Sequence, residues 1–321
     1  MLNVGIVGVG YLGNFHLDNL LKHQNINVAG FFDIDAHRSE FISKKYNVKS
    51  FQSRQSLFDD CQAVCVVTPT QSHFEIAQDA LLQGLHVFCE KPVTERLEQA
   101  EKLMKIAESK NLVLQVGHIE RFNPALRILK GLKVNPKFIE CHRISEFNKR
   151  GVGSAVIPEL MIHDLDIILK LVDSKIKTIS ASGTPVLTNN VDIANVRIAF
   201  ENGCIANVTA SRISDKKIRK FRIFQENAYI NIDFLNKKTE IYTLDKTQYN
   251  SGQIDFDKPE QYIKFFKPEI PEANAMFEEQ VDFIKSILNQ ETPIVTARDG
   301  FVALSLALQI EDVIRKNLEN N

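Results

Sequence analysis

"LNVGIVGVGYLGNFHLDNLL", residues 2–21, is the stretch on which the fold turns. A short apolar run leads into Gly8, Gly10 and Gly13, and a polar–apolar helical pattern follows. A G-x-G-x-x-G by itself is common, but here it closes a predicted strand and opens a predicted helix, the context a dinucleotide-binding turn requires. Gly8 permits the tight turn, Gly10 lets a pyrophosphate approach the backbone, and Gly13 lets the helix pack close to the strand. The helix start then offers free N–H groups to an anion. Asp33 ends the next apolar run, about twenty residues beyond Gly13, where a ribose-binding acid belongs. The plainer alternative is a glycine-rich turn with Asp33 as a solvated loop acid. A carboxylate at 33 accepts from a ribose 2′-hydroxyl and repels a 2′-phosphate, and Ile34 and Asp35 follow it, so NAD is favoured over NADP. Arg38 lies five residues beyond the acid and can still swing toward it.

Outward from this stretch the strand–helix alternation continues. "NVGIVG" (3–8), "NVAGFFD" (27–33), "AVCVVTP" (63–69), "HVFCEKP" (86–92) and "NLVLQVG" (111–117) are apolar runs of strand length. Helical stretches separate them. Ser72 and Glu75 form a capping-box pattern in 72–83. Thr94 is the expected N-cap of 94–110, with Glu95 in its first turn. Continuous apolar strands alternating with helices predict βαβ units and a doubly wound parallel sheet. Residues 1–120 are therefore expected to form an α/β Rossmann domain.

After residue 120 the pattern changes. "KFIECHRIS" (137–145) is strand-like, and "PELMIHDLDIILKLV" (158–172) is helical with Pro158 at its first position. "VDIANVRIAF" (191–200) and "CIANVTASR" (204–212) flank Glu201-Asn202-Gly203, a hairpin signal. "KFRIFQ" (220–225), "YINIDF" (229–234) and "EIYTL" (240–244) extend the meander, 245–260 reads as a polar loop, and helices are expected near 273–289 and 298–317. The expectation for 121–321 is an α+β domain with an open, mainly antiparallel sheet, helices on one face, and a last helix that returns to the first domain.

Composition sets the bounds. The chain has 321 residues, 44% apolar and 25% charged, with a formal net charge of −1. Those values suit a globular protein and carry no footprint for nucleic acid. No run is long enough to cross a bilayer and no signal peptide is visible, so no membrane role is expected. Five cysteines, an odd number without a C-x-x-C pair, suggest neither a disulfide framework nor a metal centre. Cys65 and Cys89 lie in apolar runs, as small core residues do. A reducing, cytoplasmic setting is expected.

Three further segments carry polar groups at chemically useful places. Lys91 of "CEKP" (89–92) falls at the C-terminal end of a strand, where open α/β sheets place ligands. An ammonium there can donate to a hydroxyl and stabilise an alkoxide; an exposed lysine before a proline turn is the alternative. In "PELMIHDLD" (158–166), Glu159, His163 and Asp166 stand at i, i+4 and i+7, on one face of an α-helix. An imidazole titrating near ~6.5 can take a proton at neutral pH, with an acid to orient it; a polar outer face is the alternative. In "GHIERFNPA" (117–125), His118, Glu120, Arg121 and Asn123 follow the fifth strand, and Asn123-Pro124 marks a helix start. Arg121 could equally be a salt-bridge or domain-linking residue.

"GIVGVGYLG", "TPTQSH", "CEKPV", "GHIERFNP" and "ELMIHDLD", in this order and over nearly the whole chain, resemble the Gfo/Idh/MocA oxidoreductase family. The resemblance implies a Rossmann domain followed by a domain whose open sheet forms an oligomer interface, as a homodimer or homotetramer. It implies cofactor contacts from Gly8, Gly10, Tyr11, Leu12, Gly13, Asp33, Thr68, Pro69, Thr70, His73, Glu90 and Lys91. It makes Lys91 and His163 the catalytic pair, Lys91 lying between nicotinamide and substrate and His163 accepting the proton. Substrate contacts are implied for Lys91, His118, Glu120, Arg121, Asn123, Glu159, His163 and Asp166. Glu159 stands where the family often has aspartate. "GHIERFNPA" and "LMIHDLDII" look most like a subgroup acting on UDP-N-acetylglucosamine at the 3-hydroxyl. The implied activity is NAD-dependent hydride transfer to or from a sugar or nucleotide-sugar carbon. A free sugar or inositol dehydrogenase, and a non-catalytic dinucleotide sensor, remain open at this point.

Overall fold

A computed structural model describes residues 1–148, 153–244 and 262–320. The chain divides into two compact units, one of Met1–Phe122 with Asn274–Ser305, the other of Asn123–Ala273 with Leu306–Asn321. The polar stretch 245–260 lies outside the described residues. Among the described residues no helix is long and apolar enough to cross a membrane.

The first unit is a Rossmann-type α/β layer structure. Its strands are β1 (Leu2–Val7), β2 (Ile26–Phe32), β3 (Ala63–Val66), β4 (His86–Glu90) and β5 (Leu114–Gly117). They are all parallel, in the order β2-β1-β3-β4-β5, as the apolar runs predicted. The order reverses at β1, which places the switch point between β1 and β3. The helices are α1 (Tyr11–Leu20), α2 (Ala36–Tyr46), α3 (Arg54–Asp59), α4 (Thr70–Leu82) and α5 (Leu97–Ser109). Val4, Ile6, Cys65 and Phe88 of the sheet are fully buried with Leu17 and Leu20 of α1.

Two expected caps are corrected. α4 starts at Thr70 with Pro69 as N-cap, so Ser72 lies inside the helix. Its hydroxyl donates back to Pro69 O (2.9 Å) and lies 2.8 Å from Thr68 Oγ1, while Glu75 pairs with Arg54. α5 starts at Leu97 after Arg96, and the Thr94 hydroxyl donates to Arg96 O at 2.8 Å. Both hydroxyls found a nearby carbonyl in place of a helix N–H, the local competition open to Ser and Thr. A capping box does occur at α3, where Ser53 and Ser56 satisfy each other's backbone N–H groups.

The second unit opens with α6 (Pro124–Arg127) and contains β6 (Phe138–Ile144), a π-helical turn (Ile157–Met161) and α7 (Ile162–Leu171). Then come β7 (Ile176–Thr184), β8 (Ile193–Phe200), β9 (Ile205–Ser211), β10 (Ile218–Gln225), β11 (Ala228–Asp233), β12 (Lys238–Leu244) and β13 (Ile263–Phe266). The sheet order is β13-β12-β11-β10-β6-β9-β8-β7, and only the β6–β9 pair is parallel. β8 and β9 form the expected hairpin, with Gly203 at φ +84° in the turn. Residues alternate in burial along β6, β8 and β9, so one face is core and one is open. β7 escaped the sequence reading because "IKTISASGT" is a mostly exposed edge strand without an apolar alternation.

Two helices close the chain, α8 (Ala275–Asn289) and α9 (Ala297–Glu319). α8 packs on α1 within the first unit, burying Phe283 and Ile284 in its core.

Candidate active site

The glycine turn shows why each glycine is there. Gly8 adopts φ +90°, and a Cβ on it would lie 2.5 Å from the Val67 carbonyl oxygen, at the switch point. A Cβ on Gly13 would lie 2.0 Å from the Gly8 oxygen, so the helix can approach the turn only without a side chain. A Cβ on Gly10 would meet no atom within 4 Å. No neighbouring atom demands glycine at 10, whereas a ligand lying against that backbone would. Gly10 is also the N-cap of α1 and provides no side-chain bond to its N–H groups. These features fit the pyrophosphate of a dinucleotide.

Around the turn lie the other proposed cofactor residues of the first unit. Asp33 Oδ2 accepts from Val9 N–H (2.7 Å) and Oδ1 from Asp35 N–H (2.9 Å), which fixes the carboxylate beside the glycines. Arg38 Nε donates to Val9 O at 2.8 Å, so its guanidinium stands at the same turn. Tyr11 and Leu12, in the first turn of α1, are exposed. Thr68, Pro69 and Thr70 form the turn from β3 into α4. His73 is buried, its Nδ1 2.8 Å from Pro92 O and its Nε2 2.8 Å from Thr68 O. It thereby ties the turn after β3 to the turn after β4. Burial pushes its pKa down, against the pull of the two carbonyl bonds.

Glu90 and Lys91 follow β4. Glu90 is buried, bonded to His16 Nε2 (2.8 Å), and accepts Lys91 N–H (3.1 Å). Burial alone would raise its pKa, but the hydrogen bond from His16 and the nearby Lys91 outweigh that and hold the carboxyl below its usual value. Lys91 is half-buried. His118, Glu120 and Arg121 come directly after β5, all buried, and Arg121 Nη2 is 3.5 Å from Asp299 Oδ1. Turns after β1, β3, β4 and β5 thus bring these residues to the C-terminal edge of the sheet, where ligands of such sheets bind.

In the second unit, Asn123 caps α6: Oδ1 accepts Ala125 N–H (3.0 Å), and Nδ2 donates to Phe234 O (3.2 Å). His163 and Asp166 lie on α7 at i and i+3, His163 half-buried and Asp166 buried. The expectation of one α-helix running through Glu159 is corrected: residues 157–161 form a π-helical turn, and α7 begins after it at Ile162. The Glu159 carboxylate takes a bond from Arg212 Nη1 (3.1 Å), and Arg212 Nε donates to buried Asp192 (2.8 Å). Asp164, beside His163, is held by Arg143 through two 2.8 Å bonds. The sequence reading did not single out Arg143, Asp192, Arg212, His16 or Gln280, since partners distant in sequence leave no spacing to detect. Among the described residues, no three His, Cys, Asp or Glu side chains are grouped to hold a metal.

Comparison with known proteins adds independent findings. Residues 2–118 match the Gfo/Idh/MocA oxidoreductase family, NAD-binding Rossmann fold, and residues 134–231 match the Gfo/Idh/MocA C-terminal domain. The UDP-N-acetylglucosamine 3-dehydrogenase of Acidithiobacillus ferrooxidans is 36% identical over 243 residues, covering 75% of this chain and 77% of that protein. The myo-inositol 2-dehydrogenase of Thermotoga maritima is 24% identical over 331 residues, covering 95% and 94%. A crystal form of the Acidithiobacillus ferrooxidans enzyme superposes with a TM-score of 0.89 at 30% identity, covering 98% of this chain and 97% of that one. A levoglucosan dehydrogenase solved with NADH has a TM-score of 0.84 at 18% identity, with coverage of 98% and 97%, and shares the fold alone.

Proposed function

From the premise that the chain belongs to the Gfo/Idh/MocA oxidoreductase family, and is thus a dehydrogenase acting on CH–OH groups, we propose that it oxidises UDP-N-acetylglucosamine at C3 with NAD. The observation that carries this reading is the likeness to a UDP-N-acetylglucosamine 3-dehydrogenase in both sequence and structure. Bound NAD would supply the hydride acceptor. The chain's own residues supply the rest. Lys91, held at the C-terminal edge of the sheet, donates to the reacting oxygen and stabilises its negative charge. His163, at the start of α7, takes the hydroxyl proton. His118, Glu120, Arg121, Asn123, Glu159 and Asp166 are proposed to shape the substrate site. The five cysteines, all free and buried, fit a reducing, cytoplasmic setting.

The test is NADH formation from UDP-N-acetylglucosamine, UDP-N-acetylgalactosamine, free N-acetylglucosamine and myo-inositol. The nucleotide sugar is expected to exceed the free polyols in kcat/KM by at least about 10²-fold, because remote binding groups drive the chemistry at the reacting carbon. The reverse ranking would favour a free sugar or inositol dehydrogenase, the activity named for the Thermotoga relative.

The cofactor preference follows from Asp33. Its fixed carboxylate suits a ribose 2′-hydroxyl and repels a 2′-phosphate, so NAD is expected to bind at least about tenfold more tightly than NADP, ~1.4 kcal/mol. Calorimetric titration with both dinucleotides checks this; equal or tighter NADP binding removes the preference.

The open face of the second sheet is proposed as the contact between copies of this chain in a dimer or tetramer. Phe138, Phe224, Tyr229, Tyr242 and Phe265, on five neighbouring strands, form one transverse row with successive ring centroids 4.8–5.8 Å apart. Phe265 is 54% exposed, and a contiguous aromatic patch of this kind needs cover. Sedimentation at micromolar concentration is expected to give an oligomer for the parent and smaller species for Tyr229→Glu. A monomeric parent would remove the assignment.

A further inference from the structure

Behind Lys91 lies a buried polar chain that the reaction as described leaves without a role. Gln280 Nε2 donates to the His16 backbone oxygen at 3.1 Å, and a carbonyl can only accept. That bond fixes which end of the amide faces His16. The same Nε2 lies 3.2 Å from His16 Nδ1, so Nδ1 is an acceptor and carries no proton. The ring proton is therefore on Nε2, which donates to Glu90 Oε1 at 2.8 Å. The other carboxylate oxygen, Oε2, accepts Lys91 N–H at 3.1 Å. At the far end, Gln280 Oε1 faces His23 Nε2 at 3.3 Å, and the His23 ring is stacked on Phe277. His16 and Gln280 are both fully buried. Gly117 completes the enclosure: a Cβ there would come within 3.0 Å of the Glu90 carboxylate.

A core that needed only stability would not require such a chain. Apolar side chains fill buried space without a polar network to satisfy. The polar chain ends on one carboxylate, that of Glu90, which accepts from His16 Nε2 and holds the backbone N–H of the residue from which the Lys91 ammonium projects. We propose that His16 and Gln280 are positioning residues for Lys91, acting through Glu90. This rests on the reading of Lys91 as the group that polarises the reacting hydroxyl. His16 sets the carboxylate with a single N–H, and Gln280 sets the tautomer that places that proton on Nε2. Neither side chain touches substrate; each determines where the ammonium begins.

The test joins a spectroscopic and a kinetic arm on the full-length protein. In the 15N-histidine spectrum without ligands, one neutral Nε2–H imidazole is expected to vanish in His16→Gln. An Nδ1–H tautomer or an imidazolium at His16 would overturn the assignment. In the kinetic arm, with NAD and UDP-N-acetylglucosamine, His16→Leu removes the donor to Glu90 and is expected to lower kcat about 10²-fold, the effect of a small misplacement. NAD affinity and KM stay within about threefold, since Glu90 and Lys91 keep their charges and only their placement changes. His16→Gln restores an N–H at the same reach and is expected to recover kcat to within about fivefold of the parent. A folded His16→Leu protein with parental kcat overturns the proposal, as does loss of NAD affinity equal to the loss of kcat. Should His16→Leu fail to fold, Gln280→Met decides: it keeps the donor to Glu90 but releases the tautomer. A fall of about tenfold in its kcat supports the proposal, and parental turnover overturns it. Lys91→Met separates the two readings. If that variant turns over like the parent, it is the role of Lys91 that has failed, and the positioning role falls with it.

Discussion

Lys91→Met is expected to bind NAD within about threefold of the parent and to turn over about 10²–10³-fold more slowly, the cost of removing a preorganised charge from a reacting oxygen. Methionine keeps the length and apolar stem of lysine, so the turn after β4 retains its packing. The Glu90 bond to the residue 91 N–H is a backbone bond and survives the change. His163→Asn, on the other unit, is expected to lower turnover by about 10²–10⁴-fold, the usual effect of losing a general base. Stopped-flow measurement of hydride transfer together with NAD titration checks both variants. If both turn over like the parent, another base carries the proton, and a dinucleotide-binding role without catalysis becomes the better reading.

Gly13→Ala is expected to lower the unfolding temperature of the first unit and to abolish NAD binding together. The added methyl would stand 2.0 Å from the Gly8 backbone oxygen, which cannot rotate away as a side chain would. Overpacking of this kind costs roughly 1–3 kcal/mol where neighbours can yield, and here the neighbour is the turn itself. Gly10→Ala makes the informative contrast. Its methyl meets no atom of the protein within 4 Å, so the unfolding temperature should stay within about 2 °C of the parent, as for a surface change. NAD affinity should nonetheless fall, because the methyl occupies the path of the pyrophosphate. Differential scanning fluorimetry with and without NAD reads both effects. A Gly10→Ala protein with parental NAD affinity would move the pyrophosphate away from this turn.

The first unit could be read from the chain because its determinants are local. Gly13 and Asp33 meet their structural demands within a strand, a turn and the next strand. β1, β3, β4 and β5 read as near-continuous apolar runs because they are buried almost throughout their length, as strands covered on both faces are. The Asn202-Gly203 hairpin is equally local: Gly203 supplies the positive φ that its turn needs.

The partners of several side chains came only with packing. Glu159, His163 and Asp166 are spaced in the sequence as one α-helical run, but residues 157–161 close as a π-helical turn before α7 begins. Arg212, 53 residues from Glu159, then takes its carboxylate. Ser72 and Thr94 have the chemistry of caps, yet both hydroxyls went to carbonyls that the turns after β3 and β4 brought within reach. His16 and Gln280 are 264 residues apart, and nothing in either neighbourhood announces the other. Backbone conformation and apolar periodicity are written in neighbouring residues, so they can be read there. A hydrogen bond between side chains distant in the chain exists only once packing has excluded water and set both atoms at one distance, and that distance has no counterpart in sequence spacing.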